Sequence, residues 1–101
     1  MQLIEILIVG TNTPIMQTIA RLINKDGIWK ATISFSYEDA YETSLTKDFK
    51  LALIGAGLTA DEELQLSRLF NKTKPTLPIV KHYGGGSGLL FAEIHGALNK
   101  R

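Results

Sequence analysis

The sequence predicts an α/β fold: a short parallel sheet of four strands covered by helices on both faces, in three layers, with residues 1–101 forming one domain. Three observations carry this. A chain of 101 residues has room for one core. Apolar residues make up 45% and charged residues 21%, close to the globular average and unlike a disordered chain. Aliphatic or β-branched runs alternate with amphipathic stretches in the order βαβαβαβα, and turn residues mark each change.

Leu3–Val9 (LIEILIV) is a nearly continuous aliphatic run, as suits a parallel strand buried on both faces. It stops at Gly10. Thr13 is the expected N-cap of the next helix, with Pro14 at N1, where a missing N–H costs nothing. Ile15, Ile19, Leu22 and Ile23 recur at helical spacing, and Asp26-Gly27 ends the helix. Trp29–Phe35 is β-branched and aromatic, a second strand. Ser36 opens a capping-box-like start to a short helix carrying Ala40, Tyr41 and Leu45.

Leu51–Ile54 is a third buried strand, ending in Gly55-Ala56-Gly57. Thr59 and Glu62 form a capping box for a helix whose apolar side is Leu64, Leu66, Leu69 and Phe70. Lys72–Pro78 is expected to be a loop, and Ile79–Tyr83 a fourth strand. The run Gly84-Gly85-Gly86-Ser87-Gly88 is expected to turn the chain, with at least one glycine at positive φ and Ser87 as N-cap. The last helix then buries Leu90, Phe91, Ile94 and Leu98.

Composition excludes several classes of function. With no cysteine there is no disulfide framework, thiolate nucleophile or zinc-thiolate site. A net charge of +1 gives no sign of a nucleic-acid or membrane-surface partner. No apolar run approaches the roughly 18 residues of a membrane span. MQLIEILIVG has no basic n-region or small-residue cleavage site, so a signal peptide is not expected and the location expected is cytoplasmic.

Three segments together resemble a response-regulator receiver domain: ILIVGTNTP at 6–14, INKDGIWKATISFSYEDAYE at 23–42, and FKLALIGAGLT at 49–59 with the amphipathic helix after it. The likeness covers roughly residues 3–83, with the final helix similar to a receiver's last helix. It implies a flavodoxin-like (CheY-like) fold with strand order 2-1-3-4. It also implies where phosphorylation chemistry would sit, and there the sequence departs. Gly10 and Thr11 stand where an active receiver carries an acidic pair, Gly55 where it carries the phosphoryl-accepting aspartate, and Tyr83 where it carries a small hydroxyl residue. Lys81 lies within the fourth strand and is not assigned the role of the receiver's lysine; a helix and a fifth strand are missing. Mg²⁺ needs carboxylate oxygens, and phosphoryl transfer needs an acceptor. The resemblance therefore implies a degenerate phosphorylation site at Gly10, Thr11, Gly55 and Tyr83, without cofactor, metal or catalytic residues.

The candidate binding rim is the crevice where strand order reverses: Gly10, Thr11, Asn12, Gly55, Ala56 and Gly57, flanked by His82, Tyr83 and the glycine run. Thr11 and Asn12 could bind an anion, or simply cap the first helix. Gly84, Gly85, Gly86 and Ser87 could cradle a small anion at a helix start, or only turn the chain. The run is not a Walker motif. His82 could be a general base, phosphoryl acceptor or ligand contact, or a structural histidine; His95 is expected half exposed. Trp29 and Phe35 are expected to pack at sheet edges. Asp61-Glu62-Glu63 opens a helix, which explains it without a metal. Lys72 and Lys74 make a solvated basic loop.

Two functions follow. One is a non-enzymatic, phosphorylation-independent signalling or interaction module, with a protein partner or a homodimer. The alternative is a small-ligand, nucleotide or anion-binding domain using Gly84–Gly88. A phosphocarrier using His82 is a third, weaker reading.

Overall fold

A computed structural model describes residues 3–25, 27–82 and 86–99. Its elements are β1 (Ile4–Val9), α1 (Thr13–Asn24), β2 (Trp29–Ser34), α2 (Tyr37–Ser44), β3 (Leu51–Ile54), α3 (Ala60–Thr73), β4 (Ile79–Lys81) and α4 (Gly86–Asn99). All strand pairs are parallel, in the order β2-β1-β3-β4, as the sequence predicts. Ile6 pairs with Ala31 on one side and Leu51 on the other, so β1 and β3 are the interior strands.

The nearly continuous apolar character of β1 has a direct cause. Alternate side chains of a strand point to opposite faces, and here each face meets its own core. Ile6 and Ile8, with Leu51 and Leu53 of β3, pack under α1 (Met16, Ile19, Ile23) and α4 (Leu90, Ile94). Leu7 and Val9, with Ala52 and Ile54, pack under α2 (Ala40) and α3 (Leu66, Phe70). Each fully buried Ile or Leu contributes about 1.5–3 kcal/mol. Trp29 closes the first layer at the β2 edge, its ring centroid 6.0 Å from Phe91 and 4.8 Å from His95. No helix among the described residues is long and apolar enough to cross a membrane.

The helix starts rest on side-chain caps. Ser36 accepts from the Asp39 N–H, and Thr59 and Glu62 complete the reciprocal capping box. For α1 the cap is Asn12 rather than Thr13: Asn12 Oδ1 accepts from the Ile15 N–H at 3.2 Å, which puts Thr13 and Pro14 in the first turn. At the other end, Asn24 Oδ1 accepts from the Ala31 N–H at 2.8 Å and occupies an outward donor of the edge strand β2.

Several expectations are corrected. Ile15, Leu45, Leu64 and Phe35 are exposed, while Met16 is fully buried. A spacing of Ile15, Ile19 and Leu22 is as helical as Met16, Ile19 and Ile23, and the sheet selects the second face. Helix α3 continues through Lys72 to Thr73, and β4 stops at Lys81. Gly86, Ser87 and Gly88 belong to α4, so Ser87 lies in the first turn instead of capping it. The described glycines at positive φ are Gly27 and Gly57. Tyr83, Gly84, Gly85 and Asp26 lie outside the described residues.

Candidate functional site

The carboxyl ends of β1 and β3 meet at Gly10 and Gly55. Gly10 N–H donates to Ser34 O at 3.0 Å and Gly55 N–H to Val9 O at 2.8 Å, continuing the parallel ladder one residue beyond the strands. The two loops that follow are joined. Ala56 O accepts from both the Thr11 and Asn12 N–H groups, at 3.0 and 3.3 Å. Gly57 sits at φ 106, and a Cβ there would strike Thr11 Oγ1 and stand 2.9 Å from Asn12 N. Thr11 and Asn12 are exposed on this joined rim.

Between the two strand ends lies Met16. Its Sδ stands 2.5 Å from where a Cβ at Gly10 would be and 2.6 Å from where one at Gly55 would be. Real atoms do not approach so closely. The thioether fills the volume that side chains at positions 10 and 55 would need. Met16 is one apolar residue among several in α1, and nothing local in the sequence marks it as the neighbour of Gly55, some forty residues away in the chain.

His82 follows β4 directly and is 7% exposed. Its backbone N–H donates to Ile54 O at 2.8 Å, and its Nδ1 lies 2.5 Å from Glu93 Oε1 of α4. The Glu93 side chain is 22% exposed. A carboxylate accepts, so Nδ1 carries the hydrogen and Nε2 is the acceptor of the neutral ring. One residue earlier, Lys81 Nζ stands 3.4 Å from Glu63 Oε1 on α3. Neither Glu93 nor Lys81 as an ion-pair partner is evident from sequence, because each pair joins different elements.

Of the residues expected to share the rim, Gly10, Thr11, Asn12 and Gly55–Gly57 are brought together. Gly55, Ala56, Gly57 and His82 also line one cleft of 580 Å³ with the start of α1, Leu58, Glu63 and Leu90. Tyr83, Gly84 and Gly85 lie outside the described residues, and Gly86 and Ser87 open α4. Glu62 caps α3, while Asp61 is exposed in its first turn and Glu63 faces Lys81. Among the described residues no group of three His, Asp or Glu side chains is placed to hold a metal ion. His95 is exposed, edge-on to Trp29. Far from the rim, Lys50 Nζ donates to Asp48 at 2.8 Å; that bond and the lysine charge hold the Asp48 carboxyl below its usual pKa.

No family model matches the sequence, and no curated protein matches it. Solved structures do match in fold. A CheY-like response regulator receiver domain protein from Methanospirillum hungatei superposes with a TM-score of 0.68 and 21% identity, over 97% of this chain and 78% of that one. The response regulator DrrB of Thermotoga maritima, an OmpR/PhoB homolog, gives 0.65 and 11%, over 95% of this chain and 42% of that one. Four parallel strands in the order 2-1-3-4, with α1 and α4 on one face and α2 and α3 on the other, give this chain the flavodoxin-like fold of a CheY-like response regulator receiver domain.

Proposed function

We propose that residues 1–101 form one receiver-like module, cytoplasmic and non-enzymatic, that signals through protein contact and without phosphorylation. The observation that carries this is the packing of Met16 against Gly10 and Gly55. Acyl phosphate formation needs a carboxylate nucleophile and a divalent cation held by oxygen ligands. Glycine supplies neither, and an apolar thioether stands in the space. His82 is a poor substitute acceptor: Glu93 engages its Nδ1, and among the described residues no Lys or Arg lines the cleft beside it.

The free edge of β4 suits the contact. Pro78 O and His82 N–H bond to β3, so the outward backbone groups of the strand are those of Ile79 and Lys81. Beside that edge, Ile79 and Val80 meet the small residues Ala92, Gly96 and Ala97 of α4 in a shallow groove of 520 Å³. At the β2 edge Asn24 takes one outward donor, the Ala31 N–H, whereas no described side chain takes an outward donor of β4.

Incubation with acetyl phosphate and Mg²⁺, followed by intact mass measurement, tests the reading. No adduct is expected. A Mg²⁺-dependent gain of about 80 Da on most chains, the mass of one phosphoryl group, overturns it.

A further inference from the structure

We propose that the cleft between α1, the β3–α3 turn and α4 binds an uncharged, mainly apolar small molecule that donates one hydrogen bond to His82 Nε2. The inference goes beyond the protein-contact reading and does not depend on it.

Position comes first. The cleft lies beyond the carboxyl ends of β1 and β3, where the strand order reverses, and open parallel sheets take ligands there. Its 580 Å³ falls within the roughly 300–1,000 Å³ of small-molecule sites. Ile19 and Leu22 of α1, Leu58 after β3 and Leu90 of α4 form apolar walls. Ile15 at the start of α1 lines the cleft too, yet it is 45% exposed and belongs to neither core layer.

Charge narrows the occupant. Among the described residues no Lys or Arg lines the cleft, and Glu63, buried and facing Lys81, does. The Glu63 carboxylate is already matched by Lys81, and an anionic ligand would find no Lys or Arg among the described lining residues to pair with, so phosphate esters and carboxylic acids are disfavoured. The other titratable lining group is His82. Its Nδ1–H is committed to Glu93, so in the neutral ring Nε2 is the nitrogen left to accept from a hydroxyl or N–H.

The distribution of polarity favours a small molecule over a protein surface. Protein interfaces have an apolar centre and a polar rim. Here the order is reversed, with His82 and Glu63 buried and Ile15 exposed. Deep, sparse polar groups beneath apolar walls are the pattern of ligand pockets.

The test uses N-phenylnaphthylamine, a neutral aromatic amine with one N–H that fluoresces in apolar surroundings, and its sulfonated analogue as an anion of similar shape. The amine is expected to saturate a single site and the sulfonate to bind more weakly. Thr18, an exposed α1 residue lining the cleft, allows the cleft to be filled from outside the core. Thr18→Trp should weaken the amine at least about tenfold with an unchanged melting temperature, since lost cavity volume removes the site. His82→Phe should weaken it about fivefold through the lost hydrogen bond; if that variant fails to fold, Thr18→Trp decides alone. Binding that does not saturate, equal affinity for the sulfonate, or unchanged binding in Thr18→Trp overturns the proposal. So does a dimer that Thr18→Trp converts to monomer, which would make the cleft a contact between two copies of the chain.

Discussion

Met16 and Gly55 are complementary in volume: the Met16 Sδ lies 2.6 Å from the place a Cβ at position 55 would take, on the opposite side of the same strand ends from α3. Gly10 meets the same sulfur from β1. One side chain on α1 therefore packs against two glycines at the ends of two strands, and a side chain at either position would have to displace the Met16 thioether, with the Ala56 carbonyl as a second obstacle at position 10.

That coupling is measurable. Gly55→Ala forces a methyl into the thioether and should cost about 1–3 kcal/mol. Met16→Ala leaves a cavity and should cost about 2–5 kcal/mol. The double variant should be more stable than the sum of the two losses predicts, by at least about 1 kcal/mol, because each change relieves the other. Urea denaturation of all four proteins gives the interaction energy; strict additivity would show that Met16 yields freely. For the same reason Gly55→Asp alone should not create a phosphorylation site.

The sheet was legible in sequence because β1, apart from Glu5, and β3 carry aliphatic runs, which both core layers require. Caps were legible at Ser36 and Thr59, where one polar residue precedes the helix, but not at α1, where Asn12 and Thr13 both offer a side-chain acceptor next to Pro14 and Asn12 takes the role. What was not legible depends on docking. Whether Ile15 or Met16 faces the sheet is decided by where α1 sits, and both satisfy helical spacing. The Lys81–Glu63 and His82–Glu93 pairs join β4 to helices on opposite faces of the sheet, a relationship no local pattern contains.

The His82–Glu93 bond should contribute measurably to stability, since it joins α4 to the end of β4 in a partly buried place. Glu93→Ala leaves Nδ1–H without its acceptor and should cost about 1–3 kcal/mol in urea denaturation. Glu93→Gln keeps an amide oxygen at the same reach and should recover at least half of that loss. Equal stability of all three proteins would show the bond to be incidental.

Association should run through β4. Two copies related by a two-fold axis can pair their β4 edges antiparallel, an isologous contact that closes as a dimer. Light scattering across a concentration series should show dimer at high micromolar protein. Lys81→Pro removes one outward N–H and should restore the monomer. A wild-type chain that stays monomeric throughout that range rules out self-pairing and leaves a different protein as the partner.

The glycines should separate by backbone conformation rather than by their place in the Gly-rich run. Gly57 and Gly27 adopt φ of 106 and 73, where a Cβ is strained, and Gly57 also presses on Thr11 and Asn12. Alanine at either should cost about 1 kcal/mol or more, with the larger loss at Gly57, where steric contact adds to strain. Gly88 and Gly96 lie within α4, at no positive φ, and a Cβ at either meets nothing within 4 Å. Alanine there removes the entropy cost of glycine in a helix and should stabilise by about 0.5–1 kcal/mol. Melting temperatures of the four variants should therefore fall into two groups on either side of the parent protein. A loss at Gly96 would instead mean that α4 packs against something at its small-residue face, and light scattering of that variant would tell whether the neighbour is a second copy of the chain.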